Sequence, residues 1–145
     1  MSLEHLVPAL QLSIGPVIVI SGVGLVMLSM TNRFARVIDR SRELAELLRN
    51  DATCETHHVQ KQLEILIRRA RLLRRAIEFA SASLLLAASL VISLFLVVLL
   101  ALEASLWIST LFILCMLCLI ISLAYFIADV NISLSALSIE TGINR

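Results

Sequence analysis

The sequence has little of what most catalytic and nucleic-acid-binding sites are built from. Only 5% of its 145 residues are aromatic, and it contains three histidines and a single lysine. No histidine flanks a plausible nucleophile, and no glycine-rich loop precedes a helical pattern. The arginines are interleaved with Asp and Glu, which argues against a nucleic-acid-binding surface. We therefore predict that the protein is not an enzyme, needs no cofactor and binds no nucleic acid.

Cysteine is also scarce, and its placement excludes a secreted disulfide framework. Cys115 and Cys118 lie in an apolar run, whereas Cys54 lies in a polar segment with His57 and His58. A Cys-x-x-His-His cluster offers zinc at most three ligands from one chain, so a solvated turn is the commoner explanation. The sequence therefore predicts no metal site.

Charge is absent from three long apolar runs. Hydrophobic residues make up 59% of the chain and its mean hydropathy is +0.96, which exceeds what a soluble domain of this size can bury. Residues 6–30, 79–102 and 106–128 contain no Asp, Glu, Lys or Arg. Each run is long enough, as a helix, to cross a hydrocarbon core of ~30 Å. We predict three transmembrane helices, the first retained because no basic residue precedes it as in a signal peptide.

Positive charge is concentrated in one segment, although the net charge is only +1. Eleven of the twelve basic residues lie between Arg33 and Arg75. Basic segments of multi-pass proteins stay in the cytoplasm. The sequence thus predicts a protein of the cell inner membrane, with the N-terminus and the turn at Glu103 outside. Residues 31–78 and the C-terminus are then cytoplasmic.

The basic segment has the periodicity of helices. In its second half, apolar residues alternate at gaps of four and three, the heptad pattern of a helix–helix seam: Val59, Leu63, Leu66, Ala70, Leu73 and Ile77. Arg36 and Asp39 have the spacing of a surface ion pair. We predict an all-α fold of three transmembrane helices, the first two extended into a cytoplasmic antiparallel helical hairpin over residues 31–78. Residues 129–145 are predicted to form a cytoplasmic amphipathic tail.

One face of the first helix is small or polar in the apolar run and charged beyond it. Small residues allow close helix packing in membranes, which is one explanation of the pattern. The alternative is a pore lined by several copies, with Ile18 and Leu25 as an apolar constriction and with charged rings at Arg36 and Asp39. The candidate pore-lining residues are Gln11, Gly15, Ile18, Gly22, Leu25, Ser29, Asn32, Arg36 and Asp39.

A group of arginines ends just before the second apolar run. Such residues are most often topology anchors, and they also attract anionic lipid head groups. The candidate head-group ligands are Arg68, Arg69, Arg71, Arg74 and Arg75.

The third apolar run has a stripe of small and polar residues on one helical face. The stripe comprises Cys115, Cys118, Ser122, Tyr125 and Asp129. A carboxylate at the membrane edge is compatible with a proton or ion path. A packing stripe with Tyr125 and Asp129 at the interface is the more frequent explanation.

Three segments together resemble a known family. They are Met30–Arg40, with its Thr-Asn-Arg…Asp-Arg block, Ile20–Leu25, and Arg68–Ala76. The chain resembles, over most of its length, a bacterial family of small three-span inner-membrane proteins catalogued as a domain of unknown function. The resemblance implies a prokaryotic inner-membrane protein and assigns no functional residue.

Two functions remain open at this point. In the first, a symmetric homo-oligomer forms an ion channel or pore lined by the first transmembrane helix. In the second, the protein is a non-conducting scaffold or regulatory protein whose cytoplasmic hairpin binds a protein partner or anionic lipid. Membrane lipids are expected partners in both.

Overall fold

The structure, a computed structural model, describes residues 3–50, 56–100 and 105–140, and all of them are helical. Helix α1 comprises Leu3–Asn50, α2 comprises Thr56–Leu100 and α3 comprises Ser105–Glu140. Side chains are described for residues 11, 14–49, 59–100 and 105–134. The predicted turns after Asn50 and at Glu103, together with Cys54, lie outside the described residues. The prediction of an all-α chain is confirmed for the described part.

Each of the three helices is long and apolar enough to cross a membrane. The apolar runs consist largely of Leu, Ile, Val and Ala, whose side chains carry no polar group. In a helix the backbone N–H and C=O groups bond to one another, so such a run leaves no polar group unsatisfied in lipid. Pro16 lies inside α1, and the helix continues through it. A proline removes one backbone hydrogen bond, a loss that membrane helices tolerate. The predicted three membrane-spanning helices are thus confirmed by length and composition.

The helices divide into two compact units. We call Met1–Leu28 with Glu78–Ile121 the apolar unit, and Ser29–Ile77 with Ser122–Arg145 the charged unit. All twelve basic residues of the chain belong to the charged unit. The uneven distribution of charge along the sequence is therefore also a difference between two packing units.

The apolar unit packs mainly through small side chains. Its buried residues, among those described, are Ala80, Ser83, Ala87 and Leu90 on α2, Val23 on α1 and Cys115 on α3. Most large apolar side chains point outward instead: Leu25 is 71% exposed, and many Leu and Ile side chains of all three helices are similarly open. A surface of this kind is unfavourable in water and suits lipid acyl chains.

The charged unit packs through larger side chains at heptad spacing. Met30, Val37 and Leu44 follow one another at intervals of seven on α1, and all three are buried. On α2, Leu73 is completely buried, as the predicted seam requires. Ala76 is buried too, although the seam was predicted to continue through Ile77. The reason is that α2 has a second contact stripe, directed at α3.

Candidate functional site

A carboxylate is buried in the charged unit. Asp129 of α3 has no exposed surface. One heptad earlier on the same helix, Ser122 is also buried, and its Oγ donates a hydrogen bond of 2.7 Å to the backbone oxygen of Ala76 on α2. This contact brings α3 close to α2 and places Asp129 opposite the α2 residue one heptad before Ala76, which is Arg69.

Two arginines neutralise the buried carboxylate. Arg69 Nε donates to Asp129 Oδ1 over 3.2 Å, and Arg33 Nη1 of α1 lies 3.9 Å from Asp129 Oδ2. Arg33 also lies over the ring of Phe126, 5.3 Å from its centroid, at a distance suited to a cation–π contact. All three helices therefore contribute to one charged cluster.

The hydrogen-bonding capacity of the Asp129 carboxylate is only partly used. Asp129 Oδ2 accepts no hydrogen bond from the described residues. Burying a carboxylate costs several kcal/mol, and one hydrogen bond with two nearby cations offsets only part of it. Such a pair contributes less to stability than to fixing which side chains meet.

A pocket of about 340 Å³ adjoins this cluster. Four arginines contribute to its wall, together with an aliphatic patch and a hydroxyl: Arg33, Arg36, Arg40, Arg69, Val37, Leu66 and Ser133. The Ser133 hydroxyl donates to the Asp129 backbone oxygen over 2.9 Å. Arg40 pairs with Glu43 at 2.7 Å on the exposed side of α1. The pocket therefore presents guanidinium groups from both α1 and α2.

The predicted pair of Arg36 with Asp39 is not among the ion pairs of the described residues. Arg36 is exposed and lines the pocket, and α1 forms the Arg40–Glu43 pair instead. Both pairings have the same i, i+3 spacing, so spacing alone does not distinguish them.

The candidate pore-lining residues are all exposed on the single chain. In the apolar unit these are Gln11, Gly15, Ile18, Gly22 and Leu25, and in the charged unit Ser29, Asn32, Arg36 and Asp39. A Cβ built on Gly15 or Gly22 would meet no atom within 4 Å. Packing within one chain therefore does not account for these glycines.

The candidate head-group arginines do not form one uniform set. Arg68, Arg71, Arg74 and Arg75 are exposed, but the Arg69 side chain is only 21% exposed and binds Asp129. Arg69 belongs to the pocket, and the other four lie at the surface.

The polar stripe of α3 packs against α2. In the apolar unit, Ser83 Oγ lies 3.1 Å from the Cys115 oxygen, and Cys115 Sγ lies 3.3 Å from the Ser83 oxygen. The next stripe residues that are buried, Ser122 and Asp129, make the contacts described above in the charged unit. Cys118 is half-buried. Asp129 is enclosed by Arg33 and Arg69, and its predicted position at the membrane interface stays a prediction.

The polar segment with Cys54, His57 and His58 is not described in full. Cys54 lies outside the described residues, and the two histidine side chains are not described. Among the described residues, no group of three or more His, Cys, Asp or Glu side chains is placed to hold a metal ion.

Sequence reasoning missed Arg33, Arg40 and Ser133 as members of a site. It also missed the pairing of Asp129 with Arg69, for which the sequence contains a signal. Cys115, Ser122 and Asp129 are seven apart on α3, and their α2 partners Ser83, Ala76 and Arg69 are seven apart in the opposite direction. An antiparallel heptad alignment of these two series would have paired Asp129 with Arg69.

The three long apolar helices and the outward-facing Leu and Ile side chains define a multi-pass membrane protein in contact with lipid. The chain belongs to the family described as Protein of unknown function (DUF2721), which it matches over residues 13–139. The resemblance to a family of unknown function is thereby confirmed. Comparisons with the curated proteins and with the solved structures gave no match.

Proposed function

We propose that the protein is a non-enzymatic homo-oligomer that forms an ion-conducting pore lined by α1. The observation that carries this proposal is the exposure of the α1 face at Gln11, Gly15, Gly22 and Ser29. Polar and glycine residues directed at lipid gain nothing from that environment, whereas around a water-filled axis the polar side chains would be solvated and the small ones would leave room for ions. Further copies of the chain, arranged around such an axis, are the simplest way to enclose this face.

The chemistry of the same face suits conduction. Ile18 and Leu25 are exposed and would form apolar constrictions where α1 helices surround an axis. Arg36 and Asp39 are exposed in the charged unit and would form rings of opposite charge. Such rings select ions by sign, and apolar constrictions gate by dewetting.

The proposal includes an orientation. The positive-inside rule places the charged unit in the cytoplasm and the N-terminus outside, in a bacterial inner membrane. Residues 31–78 would then form the cytoplasmic hairpin, because α1 continues to Asn50 and α2 begins at Thr56.

Ion flux in proteoliposomes tests the pore. Gly22→Leu and Ser29→Leu should block flux while leaving assembly intact, because each adds bulk to the α1 face. Ala88→Leu is the matched control, since Ala88 is exposed on α2 and should leave flux unchanged. Purified protein that is only monomeric or dimeric, or that conducts no ion across a range of tensions, would contradict the proposal.

A second candidate is a non-conducting scaffold or regulatory protein that recruits a cytoplasmic partner or anionic lipid. The observation that favours it is the exposure of Arg68, Arg71, Arg74 and Arg75 on α2. Each exposed basic residue near a membrane surface adds up to about 1 kcal/mol of attraction to anionic lipid. Loss of lipid or partner retention in Arg68→Gln/Arg71→Gln, with normal insertion and no conductance in the parent protein, would favour this alternative.

A further inference from the structure

We propose that the arginine-lined pocket of the charged unit is a binding site for a phosphate-bearing anion. Four arginines from two helices, Arg33, Arg36, Arg40 and Arg69, line a cavity of about 340 Å³. Arginine forms bidentate, charge-assisted hydrogen bonds to phosphate oxygens, which is why it is used where phosphate is recognised.

The charges around the pocket do not balance. Among the described residues, two carboxylates pair with its arginines: Asp129 with Arg33 and Arg69, and Glu43 with Arg40. Arg36 has no ion pair or hydrogen bond with a described side chain. The four cations therefore exceed their paired carboxylates by two charges, which a phosphate monoester or diester would reduce.

Asp129 holds Arg69 in position but does not occupy the pocket. The carboxylate is buried and is not part of the pocket wall as described. It binds Arg69 through Nε, so both terminal nitrogens of that guanidinium have no described protein acceptor. Since Asp129 restrains the arginine before any ligand arrives, less conformational entropy is lost on binding.

The remaining lining residues are uncharged, and the pocket is open to its surroundings. Val37 and Leu66 are aliphatic, and Ser133 contributes a hydroxyl. A volume of about 340 Å³ lies at the lower end of the ~300–1,000 Å³ range of small-molecule sites. It suits a phosphate group with a short organic stem. Such a group is present in a lipid head group and in a free phosphorylated compound.

This site differs from the exposed arginine cluster of α2. It is an open pocket to which α1, α2 and α3 all contribute, and it shares only Arg69 with the candidate head-group residues. It shares Arg36 with the proposed pore, but its binding test requires neither conduction nor oligomerisation, because every lining residue comes from one chain.

The test uses the full chain in nanodiscs of phosphatidylcholine. Inorganic phosphate is titrated by isothermal calorimetry in one arm, and phosphatidylglycerol is added to the nanodisc and counted by native mass spectrometry in the other. Arg36→Gln should weaken binding by about tenfold or more, because one charge-assisted hydrogen-bonding group is removed. Arg36→Lys should weaken it less, since it retains the charge but loses the fork.

Arg42→Gln is the matched control, because Arg42 is exposed on α1 and is not among the lining residues. Binding in the phosphate arm identifies a free anion as the ligand, and binding only in the lipid arm identifies a head group; both support the site. An equal loss in Arg36→Gln and Arg42→Gln overturns it, since attraction would then be nonspecific. Absence of binding in both arms overturns it as well.

Discussion

The two units of this protein differ in the size of the side chains that they bury between their helices. In the apolar unit most of the buried side chains are small, with Leu90 the largest exception, and many large apolar side chains point outward. In the charged unit larger side chains such as Leu73 are buried beside the small Ala76 and Ser122, and charged side chains cover the outside. The same helices thus change their packing principle along their length.

The difference follows from the surroundings. Lipid offers no hydrophobic drive for helices to associate, so close approach of small residues and interhelical hydrogen bonds must hold the apolar unit. On the proposed cytoplasmic placement of the charged unit, water drives large apolar side chains inward, so a heptad seam suffices there. Polar contacts between helices occur in both units: a Ser83–Cys115 pair in the first, and the Asp129–Arg69 and Ser122–Ala76 pairs in the second.

The largest effect is expected from truncating the seam of the charged unit. Leu73→Ala should lower the free energy of unfolding by about 3 kcal/mol, because a fully buried leucine leaves a cavity. Denaturation by sodium dodecyl sulfate, followed by circular dichroism, measures this change. Leu47→Ala in the same unit should cost under ~0.5 kcal/mol, since Leu47 is 50% exposed. Equal costs would show that the charged unit is not held by its seam.

Removing the partner of the buried charge should have the next largest effect. Arg69→Gln should lower the free energy of unfolding by about 2 kcal/mol, because it leaves the Asp129 carboxylate buried with only Arg33 nearby, at 3.9 Å. The cost is below the ~3–5 kcal/mol of a fully buried pair because Arg33 and Arg69 are partly exposed to solvent. A double-mutant cycle with Asp129→Asn measures the coupling. If the two costs add without coupling, Asp129 and Arg69 do not act together.

The apolar unit should respond to the opposite change in size. Ala87→Leu should destabilise it by about 1–2 kcal/mol, because the buried alanine has no room for three more carbons. Ala88→Leu is the control, since the neighbouring alanine is exposed and the added side chain meets lipid. Unfolding in mixed micelles compares the two variants. Tolerance of Ala87→Leu would remove the proposed contrast between the units.

Composition was sufficient to predict the three long apolar helices. An uncharged run of more than 20 residues has few alternatives to a membrane-spanning helix, so residues 79–102 and 106–128 were recognisable without tertiary information. The heptad positions around Leu73 were recognisable for a similar reason, because the period of the pattern is local.

The charged cluster was not predictable in the same way. Eleven basic residues lie in one segment, and local spacing does not say which of them will face Asp129. Arg69 was grouped with its neighbours because five arginines close together suggest one role. Its separation from them depends on which side of α2 meets α3, and that is decided by the packing of Ala76 against Ser122.

The buried ion pair limits the alignments that α2 and α3 can adopt relative to each other. A seam of similar residues at intervals of seven can slide by one heptad with little loss of apolar contact. Such a slip between α2 and α3 in the charged unit would place Asp129 opposite Gln62 or Ala76, neither of which carries a positive charge. An unpaired buried carboxylate is costly, so only one register remains favourable. A contact that adds little to stability thereby defines a single alignment of the two helices.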